Sequence, residues 1–73
     1  MVICLEKFLI EVENIPTEEA SKELYELIRV FGAVNMFYTG SKAFIYGELE
    51  PGVIDRIETI ISDKEYTFTT DRG

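Results

Sequence analysis

Histidine is absent from this 73-residue sequence, and cysteine occurs once, at Cys4. One cysteine excludes a disulfide framework within the chain, and a zinc cluster lacks ligands. Catalysis loses its usual actors as well. There is no imidazole to serve as a base, the single thiol sits in an apolar run, and no serine or threonine has a base close in sequence. The expectation is a protein that is not an enzyme and holds no metal or cofactor. Cys4 itself reads as a small buried hydrophobe near a strand start, since only Lys7 is near enough to favour a thiolate.

Long hydrophobic runs are missing too. Met1-Val2-Ile3-Cys4-Leu5 is apolar but stops at Glu6-Lys7, too short for a signal core or a membrane span. No membrane association is expected. A cytosolic, reducing setting fits, in the protein's own cell or in the host of a virus. Basic residues are few: seven lysines and arginines stand against fourteen acids, for a net charge of −7. Such a chain repels a phosphate backbone at long range, which disfavours nucleic acid as a partner. The plain reading of the excess acid is solubility. The sharper reading is that the carboxylates face a basic protein surface.

What is present is enough apolar material to fold. Hydrophobic residues make up 47% of the chain, so residues 1–73 read as one small domain with a thin core. At this size apolar burial roughly balances conformational entropy, which favours tight packing or association.

Periodicity divides the chain. Phe8 to Glu13 alternates, with Phe8, Ile10 and Val12 on a core face and Leu9, Glu11 and Glu13 on an open one. Asn14-Ile15-Pro16 ends that strand. Thr17 is an N-cap followed by Glu18-Glu19, where the helix dipole favours acid. Ala20, Leu24, Leu27, Ile28 and Phe31 then recur on one helical face, with Gly32 as the stop. Lys22 lies four residues from both Glu18 and Glu26, the spacing of helix-surface ion pairs. Ala33 to Tyr38 is a second strand: with Asn35 outward, Phe37 joins it and Val34, Met36 and Tyr38 turn inward, whereas a bulge would shift this assignment.

Thr39-Gly40-Ser41 forms a short hairpin connection into the stretch on which the reading turns, Lys42-Ala43-Phe44-Ile45-Tyr46-Gly47-Glu48-Leu49. Its Ala43, Ile45, Gly47 and Leu49 alternate with Lys42, Phe44, Tyr46 and Glu48, and the charges mark the second set as the open face. Pro51 starts a second helix with Val53, Ile54, Ile57, Ile60 and Ile61 inward. Tyr66 to Thr70 is a last strand, with Tyr66 and Phe68 packed under the helices, and Asp71-Arg72-Gly73 is expected to fray.

The order β-α-β-β-α-β predicts an α+β, ferredoxin-like two-layer sandwich with an antiparallel sheet of strand order 4-1-3-2. Both helices would cover one sheet face. No chain remains to cover the other, which would carry Leu9, Glu11, Glu13, Phe37, Lys42, Phe44 and Tyr46. These seven are the candidate contact residues.

Asn14-Ile15-Pro16 after the first strand, Glu23-Leu24 through Phe31-Gly32-Ala33-Val34, and Lys42-Ala43-Phe44-Ile45-Tyr46 together resemble the RNA-recognition-motif family, over about residues 8–70. The resemblance implies that Phe44 and Tyr46 form a stacking platform and that Lys42 reaches a phosphate. The sequence departs from the family where a first-strand aromatic is replaced by Glu11, next to Glu13 on the same face. The aromatic octapeptide also carries Ile45, Gly47 and Leu49 where the family has a small, an apolar and an aromatic residue. A carboxylate at position 11 opposes an anionic ligand.

Paired acids at Glu11/Glu13 and Glu48/Glu50 have strand spacing and could hold a hard cation, but more simply form charged edges that discourage wrong pairing. The leading expectation is therefore a protein-interaction module. It binds a protein partner, basic or a second copy of itself, through the open sheet face, and a face-to-face homodimer would relieve the thin core. Two alternatives remain: a single-stranded nucleic-acid binder, and an acidic inhibitor, viral or not, that occupies a nucleic-acid site on a basic host protein.

Overall fold

A computed structural model describes residues 4–73. The segment Met1-Val2-Ile3, which opens the short apolar run discussed above, lies outside the described residues. The elements are β1 (Glu6–Glu13), α1 (Glu18–Ile28) with a 3-10 turn over Arg29–Phe31, β2 (Val34–Thr39), β3 (Lys42–Leu49), α2 (Pro51–Asp63) and β4 (Thr67–Arg72). The strands form one sheet in the order β2-β3-β1-β4, with every neighbouring pair antiparallel. Counted from the other edge this is the expected 4-1-3-2. The α+β arrangement is consistent with a ferredoxin-like sandwich.

Alternation along the strands sorts the side chains. Phe8, Ile10 and Val12 of β1, with Ala43, Ile45 and Leu49 of β3, are buried against Leu24 and Ile28 of α1 and Ile54, Ile57 and Ile61 of α2. Each fully buried side chain of this kind contributes about 1.5–3 kcal/mol, so one face of the sheet and both helices share a single core. Gly47 interrupts the β3 row for a reason of space. Its φ is 157°, and a Cβ there would lie 3.3 Å from the Ala33 carbonyl oxygen and 3.8 Å from the Phe8 ring.

The helix boundaries follow local chemistry. The Thr17 hydroxyl accepts from the Ala20 N–H at 3.1 Å, and Pro51 occupies the first turn of α2. The first helix is rotated slightly from the expected stripe: Ser21, Leu24 and Ile28 are buried, whereas Leu27 is 42% exposed. Ser21 can occupy the inner face because its hydroxyl donates to the Glu18 carbonyl at 2.7 Å, which satisfies it within the helix. Gly32 closes the 3-10 turn and not the α-helix itself, its N–H donating to the Arg29 carbonyl.

Three further expectations need correction. Cys4 is exposed, because β1 begins only at Glu6 and leaves position 4 without a strand neighbour. Ile15 is buried at 1% exposure and is more than a strand terminator. Asn14 adopts a left-handed φ of 65°, which turns the chain so that the Ile15 N–H donates to the Ser41 carbonyl at 3.0 Å. Asp71 and Arg72 do not fray. They complete β4 opposite Leu9 and Phe8, and the Arg72 guanidinium bridges Asp55 and Glu58 of α2. Two acids one helical turn apart on α2 thus hold the last strand where propensity alone offered nothing. No helix among the described residues is long and apolar enough to cross a membrane.

Candidate functional site

The uncovered sheet face is built in rows that the strand register sets. Phe37 of β2 lies opposite Phe44 of β3, which lies opposite Glu11 of β1, which lies opposite Thr69 of β4. The next row reads Asn35, Tyr46, Leu9 and Asp71. Two rows thus bring four apolar or aromatic side chains into a block on adjacent strands. Phe37 is 58% exposed, Tyr46 45% and Leu9 43%, while Phe44, in the middle, is half-buried by its neighbours. Cross-strand aromatic pairs stabilise a sheet by only about 0.2–1 kcal/mol, less than the burial that this block forgoes by facing water.

Carboxylates border the block. Lys42 Nζ lies 3.3 Å from Glu13 and 3.7 Å from Glu11. The hydrogen bond with Glu13, then the charge of Glu11, raise the Lys42 pKa above its ordinary value. Lys42 is thus directed across the sheet toward β1. On the rest of the face Lys7 stands with Glu48 and Asp71, all exposed. Glu50 does not pair with Glu48 on the strand, because β3 ends at Leu49 and Glu50 is the residue before α2.

The structure places Leu9, Glu11, Glu13, Phe37, Lys42, Phe44 and Tyr46 on this one face. Sequence reasoning missed a second feature at the β2 edge. There a groove of about 490 Å³ runs between α1 and β2, lined by Ser21, Tyr25, Met36 and Tyr38 and rimmed by Glu18, Lys22 and Glu26, and it reaches the open face at Asn35 and Tyr46. Tyr25 and a serine on the apolar side of a helix were the available signals. Neither had meaning until the rotation of α1 was known. No family model, no curated protein and no solved structure matches the chain.

Proposed function

We propose that this chain is a non-enzymatic interaction module, of the ferredoxin-like and RNA-recognition-motif-like kind, that binds a basic protein partner on its open sheet face. The observation that carries the reading is the block of Leu9, Phe37, Phe44 and Tyr46, three of them more than two-fifths exposed on one surface. Contiguous exposed apolar surface of this type marks contact sites, and aromatic anchors supply much of the energy in such contacts. Glu11, Glu13, Glu48 and Asp71 around the block favour a cationic partner. The net charge of −7 acts in the same direction at long range and opposes both oligonucleotides and a second copy of the chain.

Phe44 and Tyr46 are the anchors. Truncating two central interface aromatics costs about 2 kcal/mol or more each, so Phe44→Ala combined with Tyr46→Ala should weaken the complex by over a hundredfold while the fold survives, because neither side chain contributes to the core. The experiment is capture of partners from native lysate on the wild-type and double-variant proteins, with light scattering on each protein alone. Partners retained equally by both proteins would refute the proposal. A dimer in the free protein that the double variant dissolves would assign the face to self-association.

A further inference from the structure

The outer edge of β2 offers a second surface, independent of the open-face reading. The N–H of Gly73 donates to the Lys7 carbonyl at 3.1 Å, so Lys7, Leu9, Glu11 and Glu13 turn their backbone groups toward β4. In an antiparallel ladder the bonded side alternates residue by residue. Phe8, Ile10 and Val12 therefore bond toward Gly47, Ile45 and Ala43 of β3, and Tyr46, Phe44 and Lys42 bond toward Asn35, Phe37 and Thr39 of β2. The backbone groups of Met36 and Tyr38 are left directed away from the sheet, and no described residue bonds them.

Sheet edges are normally blunted by charge, proline or a bulge. The other edge, β4, carries Asp71 and the ion-paired Arg72. The β2 edge, Val34-Asn35-Met36-Phe37-Tyr38-Thr39, has no charge, no proline and an uninterrupted register with β3. Beside it lies the groove under α1, floored by Met36, Tyr38, Ser21 and Tyr25.

We propose that β2 is a strand-addition site for an extended basic peptide segment of a partner protein. The segment pairs with the Met36 and Tyr38 backbone. Its residues on the helix side are arginine or lysine, whose stems lie along Tyr25, Met36 and Tyr38 while their heads meet Glu18 and Glu26. Those two acids are eight residues apart on α1, about 12 Å along its axis, close to the roughly 13 Å between residues i and i+4 of a strand. Their present partners, Lys22 at 4.0 Å and Arg29 at 3.2 Å, form exposed helix-surface pairs, which hold weakly and yield to a better-placed cation. A second copy of β2 in the same place would bring two sets of α1 carboxylates together, so charge selects the basic segment over self-pairing.

The test is backbone amide exchange measured by NMR, with two synthetic probes, an alternating Arg-Val heptapeptide and an alternating Glu-Val heptapeptide. The Arg-Val probe should slow exchange at Met36 and Tyr38 at least tenfold and leave Phe37, already bonded to β3, unchanged. Replacing both Glu18→Gln and Glu26→Gln should weaken that effect about tenfold, whereas Phe44→Ala should leave it intact, which separates this edge from the open face. No slowing at millimolar Arg-Val peptide, or equal slowing by Glu-Val peptide, would overturn the proposal. Slowing that grows with protein concentration in the absence of peptide would overturn it in favour of a second copy.

Discussion

Lys42 and Glu13 are joined across the β3–β1 ladder by an ion pair of 3.3 Å, and the same ammonium reaches Glu11 at 3.7 Å. The cation on the Phe44 side of the aromatic block is therefore shared by two carboxylates of the neighbouring strand. It masks acid and offers little to an incoming anion.

Removing that mask gives opposite results under the two readings of the face. With Lys42→Met, a basic partner should bind several-fold tighter at low ionic strength, because Glu11 and Glu13 are released to it, and the gain should shrink as salt is added. A nucleic-acid binder would lose affinity instead, together with about one unit of its salt slope. Titrations of a cationic peptide and of a single-stranded oligonucleotide against both proteins distinguish the cases.

The same pair predicts a pH dependence. Glu13 and Glu11 raise the Lys42 pKa above its ordinary 10.5. A raised pKa in the folded chain means that the charged lysine stabilises the fold fully below that ordinary value, and that the contribution disappears as pH rises through the higher folded-state value. Any difference in melting temperature between wild type and Lys42→Met should hold constant from neutral pH up to about pH 10 and narrow above it. A difference unchanged through the alkaline range would count against the pairing.

Gly47 supports the face from behind. Substitution by alanine forces a side chain into a backbone conformation at φ 157° and brings its Cβ to 3.3 Å from the Ala33 carbonyl oxygen. Gly47→Ala should destabilise the domain by about 1–3 kcal/mol, readable as a lower urea midpoint with an unchanged slope.

The rotation of α1 is testable by a pair of leucines. Leu24 is fully buried and Leu27 is 42% exposed. Leu24→Ala should cost about 2–5 kcal/mol, enough to unfold much of a domain this small. Leu27→Gln should stay within about 0.5 kcal/mol of wild type. Equal losses in chemical denaturation would mean that the helix sits as its simple stripe suggests.

That contrast shows where the sequence was legible. Strand faces were, because a period of two leaves only one other assignment, and the charges at Lys42, Glu48, Glu11 and Glu13 settled it. The seven face residues followed from the same alternation. Helix rotation was less legible. Leu27 and Ser21 flank the same apolar stripe, and hydrophobicity favours the leucine unless one knows that the serine hydroxyl can be satisfied by the Glu18 carbonyl. The far end of β4 was hidden for a related reason. Asp71-Arg72 resembles a solvated tail until Asp55 and Glu58, one turn apart on α2, are placed above it. Ile15 was hidden by its neighbours, since Asn14 and Pro16 both signal a break and conceal the single residue between them that turns back inward. The β2 groove depends on the packing of α1 against the sheet, which no local pattern encodes.

Gly73 is fastened to Lys7 beside β4, on the strand farthest from β2 in the sheet order. Three interstrand steps of about 4.8 Å separate the two edges, roughly 14 Å in all. A label, tether or fusion attached behind Gly73 would thus leave from the flank remote from the Met36–Tyr38 rim. Immobilising the protein by that end presents the rim outward to anything flowing past, whereas a circular permutation opened at Gly40-Ser41 would cut the hairpin that holds it.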